Sequence, residues 1–397
     1  MNDGVTVLAH GVGSRLDLPL PIGLALYGAG AAILLSFAIL LLFWRTPKIG
    51  GSSSGIPVPA PIARLIDSSA VRRALQTITL VLAVVVTVVA VAGPDDTPHN
   101  LAPWVLYVTF WVGLVPASLL LGPVWRLVNP LRLVHRGLRI FLPTPRAADR
   151  LPTLGLWPAV GGLLVFLWLE LVCPDRSDPA TVAGFLIGYA VLQLALSALF
   201  GEDWFASGDG FEVYSSLIAR LSFWGRRDDG LLVWRNPLAN ATIAPSVPGL
   251  TAVVVVLLGS TAFDGLSRTV FWQTGPGAAN DSLSGTGGLV VMIALVAGLY
   301  RTGARLAGRL ARQPEDVQTR RYAGTVVPIA LGYTVAHYFS LLMLDGQTTW
   351  ILASNPFRAA GVDLFGTYGN VVDLTAVSPT RSRWCRWARS SRATSSA

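Results

Sequence analysis

The chain has 397 residues, of which 52% are hydrophobic and only 13% charged, about half the charged share of an ordinary soluble domain. Its mean hydropathy is +0.56, and apolar runs of membrane-crossing length recur along it, which excludes a soluble globular protein, a lone anchor and a cleaved signal peptide as explanations. The formal charge of +8 would suit a nucleic-acid partner, but a basic excess confined to one face of a bilayer accounts for it, and no nucleic-acid partner is expected. Cys173 and Cys385 are the only cysteines, too few for a disulfide framework or a Cys-rich metal site.

In chain order, spans are predicted at 22–44, 74–93, 104–125, 154–173, 180–200, 250–263, 285–300 and 323–344. The fold class is therefore all-α: a polytopic transmembrane helical bundle of about eight spans. The sixth and seventh are short for a bilayer core, and the stretch between them, with Phe263, Phe271 and Trp272 around Asp264 and Arg268, reads as a re-entrant or interfacial piece. The first span clusters Gly23, Gly28 and Gly30, which favours close helix packing, and it reads as an uncleaved anchor.

If the N-terminus lies outside, the inner loops carry 21 Lys and Arg residues and the outer segments 4. Cations resist translocation, so this asymmetry predicts an N-terminus outside the cytoplasm and a multi-pass protein of the bacterial inner membrane. Residues 1–379 form one transmembrane domain in contact with the lipid bilayer. The tail from 380 to 397, RSRWCRWARSSRATSSA after Thr380, lacks apolar periodicity. Shifted by one base, its serine and tryptophan codons become codons for apolar residues, which predicts a frameshifted tail that replaces a ninth span.

The longest inner loop, 201–249, holds GEDWFASGDGFEVYSSLIARLSFWGRRDDG. Its apolar positions Phe211, Tyr214, Leu217, Ile218, Leu221 and Phe223 approximate one helical face, and Arg220, Arg226 and Arg227 suit anionic lipid, so an amphipathic segment along the inner leaflet is predicted. Asp228-Asp229-Gly230 reads as a solvated turn. No phosphate-cradling glycine motif accompanies it. Asn-Pro recurs beside span ends with a Trp upstream, in VWRLVNPLRLVHR, LVWRNPLAN and TWILASNPFRA. Proline after asparagine ends or starts a helix and tryptophan sits at headgroup level, so helix termination and anchoring explain the repeat.

Ionisable groups within spans are costly and become candidates for chemistry. Glu170 falls near the outer end of the fourth span and His337 in the outer half of the eighth, with Asp345 just beyond; His10, Asp17, Asp95, Asp96 and His99 share the outer side. Three readings stay open. His10 and His337 are candidate ligands of a transition metal, a cofactor to which the replaced ninth span would add an imidazole; no metal-binding spacing such as HExxH accompanies them. Glu170 or Asp345 is the candidate catalytic base for water attack on a lipophilic substrate. Alternatively, each of these groups joins or caps helices.

The stretches LAHGVGSRLDLPLPIGLALYGAGAAILLSFAILLLFWR, GPVWRLVNPLR, GEDWF and SLLMLDGQTTW together resemble a family of bacterial multispan membrane proteins, many of which are labelled fenitrothion hydrolase. The resemblance runs to about Pro379. It implies a membrane-bound hydrolase of organophosphate triesters that works with further membrane subunits. The alternative class is a non-enzymatic permease subunit or membrane assembly factor.

Overall fold

A computed structural model describes residues 55–141, 144–237, 247–312 and 338–373, with a few single positions outside these ranges. The predicted span at 22–44 falls almost wholly outside the described residues and that at 323–344 half outside them; His10, His337 and the tail at 380–397 lie outside as well.

The chain enters through a two-residue strand, β1 (Ile56–Pro57), and a short helix, α1 (Ala60–Asp67). Ser68 then caps α2 (Ser69–Ala92) through its hydroxyl, which accepts from the Val71 amide at 3.4 Å. Most of α2 is apolar yet exposed, with Val81, Leu82 and Val91 on its surface. Such a face is stable only against lipid or another protein. The next apolar helix, α3 (Leu101–Leu121), is wound as a π-helix over Val105–Val112.

Two short helices follow, α4 (Val124–Val128) and α5 (Pro130–Leu138), split at Asn129. At the start of the fourth predicted span the chain bends, Ala148–Leu154 meeting α6 (Trp157–Leu171) at 70°. The bend is made at Gly155, whose φ of +54° suits a residue without a Cβ. Asp178 caps α7 (Pro179–Phe200) by accepting from Thr181 N at 3.1 Å, with proline at the first helical position.

Helices α8 (Trp204–Gly208) and α9 (Gly210–Ile218) come next, then the strands β2 (Trp224–Arg226) and β3 (Leu232–Trp234). The strands pair antiparallel in the order β1-β3-β2, with Ile56 opposite Trp234 and Gly225 opposite Val233. The chain finishes its described part with α10 (Leu250–Ser267), a short exposed α11 (Val270–Thr274), the 30-residue α12 (Ser282–Ala311) and α13 (Gly346–Ala353).

Five described helices, α2, α3, α7, α10 and α12, are long and apolar enough to cross a membrane, or six if the bent pair ending in α6 counts as one span. The protein is thus a mainly helical one whose apolar helices suit membrane insertion. The two spans that looked short in sequence are long as folded: α10 runs 18 residues and α12 30. They pack closely where Gly259 meets Ile293. A Cβ on Gly259 would lie 2.6 Å from the Ile293 Cα, so only glycine permits this approach.

One expectation is corrected. The stretch around Phe211 does not present one apolar face to a leaflet; α9 is buried on nearly every side, including Glu212, Ser215, Leu217 and Ile218. Helices α8 and α9 form a hairpin that inserts among the apolar helices. Its turn reaches Tyr189, midway along α7, and Phe211 packs on Phe166 and Tyr189 with ring centroids 5.1 Å apart in each case. Non-helical backbone at such depth is tolerated when protein surrounds it.

Candidate functional site

Two polar centres lie within the apolar bundle. The first holds the inserted hairpin in place. Asp209 sits at its turn, fully buried, and five donors satisfy its carboxylate. Oδ1 accepts from Tyr189 Oη at 2.7 Å and from the amides of Phe211 and Glu212 at 2.9 and 3.2 Å; Oδ2 accepts from Asn129 Nδ2 at 2.9 Å and Trp125 Nε1 at 3.2 Å. The same aspartate therefore caps α9 and ties it to α4, α5 and α7.

One turn along, Glu212 is 1% exposed and takes a bidentate pair from Arg132, at 2.9 Å from Nε and 2.6 Å from Nη2. Glu202 adds an acceptor 3.4 Å from Arg132 Nη1 and 3.1 Å from Arg136. These contacts favour the charged guanidinium and raise the Arg132 pKa above its ordinary value, although burial opposes them. Trp204 donates to Gln193 at 2.7 Å from the other side of the hairpin. Every oxygen of Asp209 and Glu212 is occupied, so this centre is a clamp rather than a site for chemistry. It absorbs the Asn-Pro of VWRLVNPLR: Asn129 caps α5 through Leu131 N at 3.0 Å while its amide bridges to the clamp. Asn355 makes a local turn with both backbone groups of Ala359, at 2.8 and 2.9 Å, which is plain chain termination.

The second centre is different in kind. Glu170, on the last turn of α6, is 2% exposed, and its Oε2 has no hydrogen-bond partner among the described residues. It borders a narrow cavity of about 40 Å³. The wall is otherwise apolar and aromatic: Trp111 and Tyr214, stacked 4.6 Å apart, with Leu167, Val254 and Tyr338, and hydroxyls from Ser260, Thr261 and Thr334. Trp111 belongs to the π-helical stretch of α3 and also packs on Phe166 at 4.7 Å. A π-bulge changes which side chains face inward and often accompanies functional sites.

Four charged groups act on one another at this end of the bundle. Asp264, Arg176 and Arg268 all exert an electrostatic influence on Glu170, and Arg268 pairs with Asp264 at 3.3 Å along α10. Tyr107 donates to the Arg176 carbonyl at 2.7 Å, which anchors the loop after α6 to α3.

Of the residues singled out in sequence, Glu170 thus borders a mostly apolar cavity inside the bundle. Asp345 is buried just before α13 and is absent from the cavity wall. His10 and His337 lie outside the described residues, although Tyr338, next to His337, reaches the wall. Among the described residues no three His, Cys, Asp or Glu side chains converge as a metal site would require. His99 pairs with Asp96 on the surface. The sequence reading missed Asp264 as a neighbour of Glu170 and missed the Arg132–Glu212 pair altogether. Comparison with protein-family models, curated proteins and solved structures finds no match.

Proposed function

We propose that this protein is a membrane-embedded hydrolase of small lipophilic phosphoesters, and that the substrate occupies the cavity beside Glu170. The observation that carries the reading is a deeply buried carboxylate, one oxygen of which has no hydrogen-bond partner among the described residues, in the wall of a mostly apolar cavity. An uncharged triester partitions into hydrocarbon and meets no desolvation cost in such a pocket. Glu170 takes a proton from a water molecule as the water oxygen bonds to phosphorus, and the ester P–O bond breaks to release an alkoxide or phenoxide. The product diester is anionic and is expelled from an apolar site beside two carboxylates. The resemblance to proteins labelled fenitrothion hydrolase supports the same substrate class, in the bacterial inner membrane with the N-terminus outside and with further membrane subunits as partners. His10 and His337 remain the residues that would hold a transition metal if the reaction uses one, with Asp345 as the other candidate base.

The test is turnover of a chromogenic phosphotriester by detergent-purified protein, with Glu170→Gln, Asp345→Asn and His337→Ala alongside. Loss of about 100-fold or more in Glu170→Gln, with an unchanged melting temperature, is expected. No turnover by the wild-type chain, with or without added transition metal and co-expressed neighbours, overturns the reading.

A second reading is a permease subunit. It is favoured by the bend before α6, the π-helical α3 and the inserted α8–α9 hairpin, because irregular backbone around buried charge is how transporters build binding sites at mid-membrane. Saturable binding of the same triester without turnover would select it.

A further inference from the structure

One end of the bundle, where α2 begins and α3 ends, carries a small platform that the cavity does not touch. The β2–β3 hairpin is fixed to the last turn of α3 by Trp224 Nε1, which donates to the Leu120 carbonyl at 2.7 Å. Arg226 pairs with Asp67 at the end of α1 and so ties the hairpin to the helix that leads into α2. Between α1 and β3 runs a groove of about 340 Å³, open on one side, with Val58, Ala63 and Leu232 along it and Arg64 and Asp67 at its rim.

Two properties of this platform require explanation together. It is basic: residues 56–73 and 220–235 hold seven arginines against three aspartates. Arg235 lies across Gly225, where a Cβ would fall 2.0 Å from its Nε, and that Nε is buried with no hydrogen-bond partner among the described residues. Burial accordingly lowers the Arg235 pKa. The platform is also apolar at the same level. Ile56 is 71% exposed, Leu65 60%, Phe223 58% and Trp234 42%. A soluble anion would answer the charge and leave this surface in water, and a protein strand would answer the apolar surface and leave the arginines. The position at the ends of two membrane-length helices, with tryptophans at the boundary, supplies a ligand that answers both.

We infer that this platform is a binding site for an anionic phospholipid, whose phosphate sits at the groove rim beside Arg64, whose charge is also met by Arg235 across the sheet, and whose chains cover Ile56, Phe223 and Trp234. The site is independent of the hydrolase reading. It would couple the inserted hairpin to the lipid around it, because the chain runs directly from α9 into β2.

The test is native mass spectrometry of the detergent-purified full chain with added phosphatidylglycerol or phosphatidylcholine. The wild type is expected to retain phosphatidylglycerol preferentially, and rising ammonium acetate weakens that retention. Arg64→Gln and Arg235→Gln each lower it about fivefold, the effect of one cation at a lipid surface, while the Lys replacements keep most of it and phosphatidylcholine is unaffected. Equal retention of both lipids by the wild type overturns the inference, and so does a Gln variant of unchanged melting temperature that binds as the wild type does. Should the Gln variants fail to fold, the wild-type lipid preference and its salt dependence decide alone.

Discussion

Arg132 and Glu212 stand 80 positions apart and meet with no water between them. Removing one partner strands the other in the bundle, so Arg132→Met should destabilise the protein by about 3–5 kcal/mol, read as a fall in melting temperature in detergent. The double replacement Arg132→Met with Glu212→Leu removes both charges and should recover much of that loss; a double variant as unstable as the single would mean that the charges act separately. His135 offers a pH test at the same end. It is buried, its Nδ1 lies 2.9 Å from Ser197 Oγ, and burial lowers its pKa despite the opposing charge of Glu202. The neutral ring is therefore the form that the fold favours. The unfolded chain binds the extra proton first, so His135's contribution is complete above the ordinary histidine value of about 6.5 and is lost as pH falls below it. Melting temperature should drop between neutral and mildly acid pH, and His135→Gln should flatten that part of the profile.

At the level of elements, the apolar helices were legible because a bilayer imposes length and continuous apolarity, both of which are local properties of sequence. The start of α7 fell within a residue of the predicted 180, whereas α12 starts three residues before and ends eleven after the predicted 285–300; Asp178 and Asp281 cap the two helices through their own third residues. The α8–α9 hairpin was not legible. Its apolar positions approximate a single face, the pattern of a surface helix, and what draws it inside is a set of polar contacts to α4, α5 and α7 contributed by residues up to 84 positions away. A cue was present in retrospect: GDGFE places a helix-capping Asp and an acid within one turn, and VWRLVNPLR offers an amide, an indole and a guanidinium as donors. Close packing supports the hairpin as well. A Cβ on Gly210 would meet Leu163 N at 3.1 Å and the Ala159 carbonyl at 3.2 Å, against α6. Gly210→Val should therefore push α9 off α6 and cost about 1–3 kcal/mol, whereas Gly161→Ala, which faces open space on the same helix, should leave the melting temperature nearly unchanged. Equal effects of the two would contradict the packing.

Across the whole molecule, charge and hydropathy predict a multi-pass membrane protein, and the several apolar helices among the described residues are compatible with an integral membrane protein. The cavity depends on tertiary structure: Trp111, Glu170, Tyr214 and Val254 come from four separate helices, and only Glu170 announced itself, because a carboxylate in an apolar run is conspicuous in any sequence. Its neighbour Asp264 looked like part of an interfacial turn until α10 proved to extend through it. A lipophilic phosphoester is proposed to bind in this cavity. Photolabelling tests it most directly: a diazirine-bearing phosphotriester is crosslinked to the purified protein and the labelled peptides are mapped by mass spectrometry. Labels concentrated on the peptides containing Trp111, Leu167, Tyr214 and Val254, and displaced by unlabelled triester, are the predicted result. Labels spread over the lipid-facing surfaces of α2 and α12, with no competition, would contradict it.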